Sequence, residues 1–311
     1  MKTLFMFSGQ GAQYAGMGKD LYENFAVAKD IFDRADEVLG YSIKDICFND
    51  EEKLGETEYA QPAILTMSVA AMKVLEEQGI HADMTAGLSL GEYSAYVASG
   101  AMKFEEAVAL VQKRGKFMAE AVPSGVGAMY AVIGLDTELV KEACEEAVSE
   151  GLGLAIPANY NAPGQVVIAG KAESVKRAAE LAKEKGAKMA VQLKVSGPFH
   201  TELLLPAAEK LNTELKKMTI SPMNIPVFTN VDAQIVKSEE DIVPILTRQI
   251  CLPVRWEDIV NNAVENGAEA FVELGPGKTL CGFVKRIVKG VVNVNVEDSA
   301  SLEKAVAKLK A

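Results

Sequence analysis

Histidine and tryptophan are nearly missing from this 311-residue chain, which has two of the first and one of the second. Chemistry that needs a base near neutral pH therefore has only His81 and His200 to draw on. The four cysteines (Cys47, Cys144, Cys251 and Cys281) show no CxxC spacing. That excludes the common thiolate metal and dithiol motifs and reads as reduced thiols of a cytoplasmic protein. No apolar run reaches the roughly eighteen residues of a membrane span. The opening MKTLFMFSGQ has no signal-peptide layout. Excess positive charge is absent too: 32 basic against 43 acidic residues give a net charge of −11, which argues against nucleic acid as a partner. One local exception is KRIVK at 285–289, where Lys285, Arg286 and Lys289 follow Lys278. It reads either as a solvated helix face or as a docking patch.

What is present is ordinary for a globule with a sizeable core: 49% hydrophobic and 24% charged residues. TLFMF reads as a buried strand ending in the loop SGQGAQ. DLYENFAVAKDIFDRADEVL reads as one amphipathic helix with Asp20 as its N-cap. YAQPAILTMSVAAMKVLEEQG reads as a long buried helix stopped by Gly79. MTAGL is a short strand, and two helices follow it. From about residue 125 the order becomes β-α-β-β-α-β, with a turn at NAPG, which is the ferredoxin-like arrangement. We expect it to form a small subdomain (125–193) inserted in a larger α/β domain made of 1–124 and 194–311. After it come a helix over 201–218, a strand near IPVFTN, helices around 239–250 and 256–266, the strand EAFVELG, a helix, the strand VVNVNV and a final helix.

The strand MTAGL leads into Gly87-Leu88-Ser89-Leu90-Gly91, a GxSxG. A nucleophile on a sharp strand-to-helix turn needs small neighbours, and Gly87 and Gly91 supply them. The helix that follows aims its free amides at a reacting carbonyl, so Leu90 N–H is one expected oxyanion donor, and the SGQGAQ loop is placed to give a second. A serine hydroxyl is a weak nucleophile without a base. His81 precedes the strand, about 20 Å from Ser89 at ~3.3 Å per residue. His200, in the loop VSGPFHTELL, remains as the base. More than a third of the chain follows His200, unlike the late histidine of a hydrolase triad. Asp136, the only aspartate between Ser89 and His200, reads as a helix cap. A Ser–His pair whose histidine is held by a carbonyl or an amide is therefore expected. Hydrolysis, acyl transfer and non-catalytic acyl binding stay open at this point.

FSGQGAQ, GLSLGEYSA, KRGKFMAEAVPSGVGAMYAVIGL, NAPGQVVIAG, VSGPFHTELL, QICLPVRW and ELGPGKTL resemble, in order and over nearly the whole chain, the malonyl-CoA:acyl carrier protein transacylases. The resemblance implies an α/β-hydrolase-like core carrying a ferredoxin-like subdomain. It implies Ser89 as acylated nucleophile, His200 as base and Gln249 as the residue whose carbonyl orients it. Gln10 and Leu90 would supply the oxyanion amides. Arg114 would clamp the malonyl carboxylate, with Phe199, Met118 and Asn161 also at the substrate. A guanidinium fork suits a free carboxylate independently of the resemblance. Malonyl-CoA and an acidic acyl carrier protein are the implied partners, with Lys285, Arg286 and Lys289 as candidate docking residues. No metal or redox cofactor is implied, and a monomer is expected. One departure is Leu88, where many relatives carry histidine. The rival reading is a thioesterase or esterase.

Overall fold

The computed structural model describes residues 1–311 apart from Ser124 and Ser196. β1 (Thr3–Phe7) leads into α1 (Lys19–Asn24), α2 (Ala26–Leu39), α3 (Ile43–Asn49), α4 (Glu51–Leu54) and the long α5 (Thr57–Glu77). β2 (Met84–Gly87), α6 (Gly91–Ala98) and α7 (Phe104–Ala121) follow. Next come β3 (Gly127–Ile133), α8 (Thr137–Ser149), β4 (Ala155–Ala162), β5 (Gln165–Lys171), α9 (Ala172–Glu184) and β6 (Met189–Gln192). The chain closes with α10 (Leu205–Leu215), α11 (Ile242–Gln249), β7 (Val254–Arg255), α12 (Trp256–Glu265), β8 (Ala270–Leu274), α13 (Thr279–Ile287), β9 (Val292–Val296) and α14 (Ser299–Leu309).

Strands rich in apolar residues at every position must be covered on both faces. β1, β2 and β8 meet this condition in a parallel sheet ordered β2-β1-β8-β9. One side packs on α5 and α7 through residues such as Phe5, Phe7 and Met67. The other packs on α12 and α13 through Trp256, Phe271 and Phe283. All four strands end on one edge, where open α/β sheets bind ligands.

The second sheet is ordered β6-β3-β5-β4-β7. Its first four strands are antiparallel neighbours in the ferredoxin-like order, and α8 and α9 cover one face around Val140, Ile168 and Leu181. The architecture is thus α/β with the small βαββαβ unit that the sequence pattern predicts. Its fifth strand comes from elsewhere: β7 pairs in parallel with β4 through Asn159–Val254 and Tyr160–Arg255. None of the described helices is long and apolar enough to cross a membrane.

Three local expectations are corrected. The first long helix is two helices, because Phe25 is extended (φ −129°, ψ 119°). The break lets Tyr22 pack edge to face on Phe32 and Phe48, which meet each other at a tilt, with ring centroids 5.5–5.8 Å apart. Asp20 is not an N-cap: Gly18 caps α1, and the Asp20 carboxylate instead accepts from Ser299 N at 2.6 Å, tying α1 to the start of α14. IPVFTN makes only isolated bridges, Val227 with Thr85 and Phe228 with Ile235, because its chain turns away at Asn230 to serve the site.

Candidate active site

Ser89 follows β2 in the left-handed region, with φ 51°. A non-glycine residue there is strained and needs its surroundings to hold it. The turn admits no side chain on either flank. A Cβ on Gly87 would lie 1.9 Å from the carbonyl carbon of Gly91, and one on Gly91 would lie 2.1 Å from Phe7 O. These two contacts bring β1, β2 and α6 together tightly enough to expose the Ser89 hydroxyl at the sheet edge.

His200, also left-handed at φ 60°, sits after the Gly197–Pro198 bend. Its main-chain N–H donates to Ile250 O at 3.1 Å, docking the loop on the end of α11. Nδ1–H donates to Gln249 O at 2.8 Å. A carbonyl only accepts, so this bond fixes the tautomer and leaves Nε2 to accept from Ser89 Oγ, 2.8 Å away. Gln249 offers its carbonyl because α11 ends there and the last carbonyls of a helix have no internal partner. Burial, and then the neighbouring Arg114 charge, push the imidazole down to about 4. At neutral pH it is the free base.

Arg114, on α7, is wholly buried. Its guanidinium donates to Gln61 Oε1 at 2.8 Å, Gln249 Oε1 at 3.0 Å and Ser89 Oγ at 3.2 Å, and lies 5.2 Å from the centre of the Tyr93 ring. These hydrogen-bond partners are all neutral. Among the described residues no carboxylate comes within ion-pair distance of Arg114. Burial lowers its proton affinity, but an arginine stays charged. The site therefore holds a desolvated cation beside the serine with no counter-charge in direct contact.

Glu92, in the first turn of α6, is buried behind the pair and accepts from Gln249 Nε2 at 2.8 Å, Asn230 N at 3.0 Å and Tyr96 OH at 3.2 Å. Burial raises its carboxyl to about 7 against those three bonds. Among the described residues no acceptor takes the amide hydrogen of Leu90 or of Gln10.

A cavity of about 780 Å³ opens between the two sheets, lined by Gln10, Ser89, Arg114, Met118, Phe199 and His200 among others. β4 contributes Asn161, whose Oδ1 is buried with no hydrogen-bond partner among the described residues. The structure thus gathers Ser89, His200, Gln249, Gln10, Leu90, Arg114, Phe199, Met118 and Asn161 in one place. Lys285 and Arg286 on α13 and Lys289 just after it are exposed, while Leu280 and Phe283 of α13 line the cavity. His81 is exposed in the loop before β2 and takes no part. Leu88 packs against the core beneath α12 and α13. Sequence reasoning missed Gln61, Glu92 and Asn230. For Gln61 the available signal was a polar residue inside the otherwise apolar stretch YAQPAI.

Residues 4–308 match the acyl transferase domain family. The chain belongs to that family. Among its relatives, the malonyl CoA-acyl carrier protein transacylase of Bacillus subtilis (strain 168) is 47% identical over 99% of this chain and 98% of its own. The acyl transferase also superposes on the malonyl CoA-acyl carrier protein transacylase of Clostridium perfringens with a TM-score of 0.95, at 46% identity over 100% of this chain and 98% of that one. A malonyl-transacylase solved in complex with its type II polyketide acyl-carrier protein gives a TM-score of 0.95 at 43% identity, over 99% and 100% of the two chains.

Proposed function

We propose that this acyl transferase moves malonyl from malonyl-CoA to the phosphopantetheine thiol of an acyl carrier protein, for fatty acid synthesis, through a malonyl-Ser89 ester. One observation carries the reading: a buried, directly uncompensated guanidinium stands 3.2 Å from the serine hydroxyl. An acyl group ending in a carboxylate supplies the missing charge, and a bidentate Arg–carboxylate pair sets its orientation. The names of the relatives agree with it.

In the first half-reaction Ser89 Oγ attacks the thioester carbon as its proton passes to His200 Nε2. The tetrahedral oxyanion faces the Gln10 and Leu90 amides. The C–S bond breaks, and His200 returns the proton to the departing CoA sulfur. In the second half-reaction the carrier's thiol gives its proton to His200 and its sulfur attacks the ester carbon. The C–O bond then breaks and Ser89 recovers the proton. Gln249 O steadies the imidazole in both halves, Asn161 Oδ1 offers an acceptor to a pantetheine amide, and Phe199 and Met118 shape the acyl end of the cavity. No metal or redox cofactor enters these steps. The exposed cations Lys285 and Arg286, on the helix whose Leu280 and Phe283 line the cavity, and Lys289 just after it suit an acidic carrier. A monomeric cytoplasmic enzyme is the form this reading takes.

Mass spectrometry after mixing with malonyl-CoA should find malonyl on Ser89, discharged on adding carrier protein. Rapid malonate release without carrier would favour a hydrolase, and no adduct would overturn covalent transfer. Arg114→Ala should lower malonyl loading by about one and a half to four decades, because a charged pair is worth ~2–5 kcal/mol there, and should gain acetyl loading. Unchanged malonyl kinetics would refute the clamp.

A further inference from the structure

The hydroxyl, the imidazole and the guanidinium come from different segments, and the elbow that carries the serine is strained. Something must hold the elbow against relaxation. The polar backbone groups of the elbow show what does. Gly87 O accepts from Asn230 Nδ2 at 2.7 Å, and Ser89 N donates to Asn230 Oδ1 at 2.6 Å. One side-chain amide thus spans the elbow across Leu88. Ser89 O accepts from Gln249 Nε2 at 2.9 Å. The amide orientations are not free: Ser89 N and Arg114 can only donate, and Gly87 O and Ser89 O can only accept. Asn230 and Gln249 therefore each have one permitted orientation.

Both amides are anchored by the same carboxylate. Glu92 Oε2 accepts from Asn230 N and from Gln249 Nε2, and Oε1 accepts from Tyr96 OH. The result is a closed ring: Glu92 to Asn230, Asn230 to the elbow, the elbow to Gln249, Gln249 back to Glu92. Gln249 then passes the placement on, through its carbonyl to His200 and through Oε1 to Arg114. From Gly87 O to Ser89 O the polar backbone groups are engaged: the two amides take Gly87 O, Ser89 N and Ser89 O, Leu88 N donates to Phe7 O at 3.1 Å, and Leu88 O accepts from Gly91 N at 2.9 Å. The next amide, that of Leu90, is left for an oxyanion.

We propose that Glu92 and Asn230 are positioning residues, a buried brace that holds the Ser89 elbow and the Gln249 side chain in one register and so sets the Ser89–His200 geometry. The brace works by hydrogen bonding and not by charge. Glu92→Gln keeps an acceptor oxygen for Gln249 and Asn230, and its new N–H₂ donates to Tyr96 OH, which can turn to accept. Glu92→Ala strips Asn230 N and Tyr96 OH of the carboxylate and leaves Gln249 Nε2 with Ser89 O alone. The brace rests on Ser89 being the nucleophile of the proposed function.

Two reagents separate the two ideas: malonyl-CoA, and phenylmethylsulfonyl fluoride, which reads serine nucleophilicity whatever the natural acyl group. Rates of Ser89 modification would be measured by quenched-reaction mass spectrometry on wild type, Glu92→Ala, Glu92→Gln and Asn230→Ala, with unfolding curves in parallel. A misplacement of about 1 Å costs up to ~100-fold, so Glu92→Ala and Asn230→Ala should slow both reagents by ~10- to 100-fold. The KM for malonyl-CoA should change little, because Arg114 keeps Gln61 and the Tyr93 ring. Glu92→Gln should restore most of the rate. A folded Glu92→Ala that reacts at the wild-type rate, or a Glu92→Gln no better than Glu92→Ala, overturns the brace. If Glu92→Ala does not fold, Asn230→Ala at the wild-type rate overturns it, since that variant leaves Glu92 its other partners. Wild-type protein that reacts with the sulfonyl fluoride but never with malonyl-CoA sinks the malonyl reading and leaves the brace to be judged on the sulfonyl fluoride.

Discussion

His200 and Glu92 are both buried, and their proton affinities depart from the ordinary values in opposite senses. The imidazole falls from 6.5 to about 4 because burial and Arg114 disfavour its charged form. The base is then already free well below neutrality, so Ser89 acylation should stay level from pH 8 down to about 5 instead of halving near the ordinary histidine value. A stopped-flow pH profile with a midpoint near 6.5 would contradict this. The signs for stability follow by linkage. Between about 4 and 6.5 the unfolded chain binds a proton at His200 that the native chain does not, so this group's contribution is lost as pH falls. Between 4.5 and about 7 the native chain holds a proton on Glu92 that the unfolded chain does not, so this contribution is lost as pH rises. Over 4.5 to 6.5 the two slopes oppose each other. Glu92→Gln removes one of them, and its unfolding free energy should then fall with acid by up to about 1.4 kcal/mol per pH unit more than wild type. Parallel urea curves at several pH values would measure it, and identical slopes would argue against the opposed shifts.

Among the elements, the approach of α6 to β1 and β2 is the tightest constraint. Glycine is required at 87 and 91 because backbone, not side chain, occupies the space a Cβ would need. Gly91→Ala should lower stability by about 3 kcal/mol or more, since backbone cannot yield as a side chain does. A urea midpoint equal to wild type would show that the elbow can open. The GxSxG pattern makes this contact legible in the sequence. The α1–α2 break was not, because the amphipathic period runs straight through Phe25 and only the packing of Tyr22, Phe32 and Phe48 rewards interrupting it. IPVFTN misread for a related reason: its apolar alternation promises a strand, but Asn230 is taken by Glu92 and the elbow.

At the scale of the whole molecule, the two sheets enclose the cavity, and β7 adds an edge strand to the second sheet by pairing with β4 just after α11 has delivered Gln249. α13 belongs to both inside and outside: Phe283 faces the cavity while Lys285 and Arg286 face solvent. With −11 overall, this local positive face is where an acidic carrier would be steered. Reversing Lys285 and Arg286 to glutamate should slow transfer to the carrier by ~10-fold or more at low salt, with the deficit shrinking as salt rises, and should spare loading from malonyl-CoA. Equal loss of both half-reactions would place the effect in the fold and not in docking. The sequence by itself determined the fold class and singled out Ser89 and His200, the pair the structure brings into hydrogen-bond contact. Strand runs, a glycine-flanked serine and a choice of two histidines are local facts that need no partner to be read. Only the tertiary structure decided that Asn230 and Glu92 brace the elbow, that Gln61 and Gln249 share the guanidinium, and that Asp20 ties α1 to α14. These are polar groups whose meaning lies in a partner tens to hundreds of residues away, and a buried hydrogen bond leaves no period in the chain that makes it.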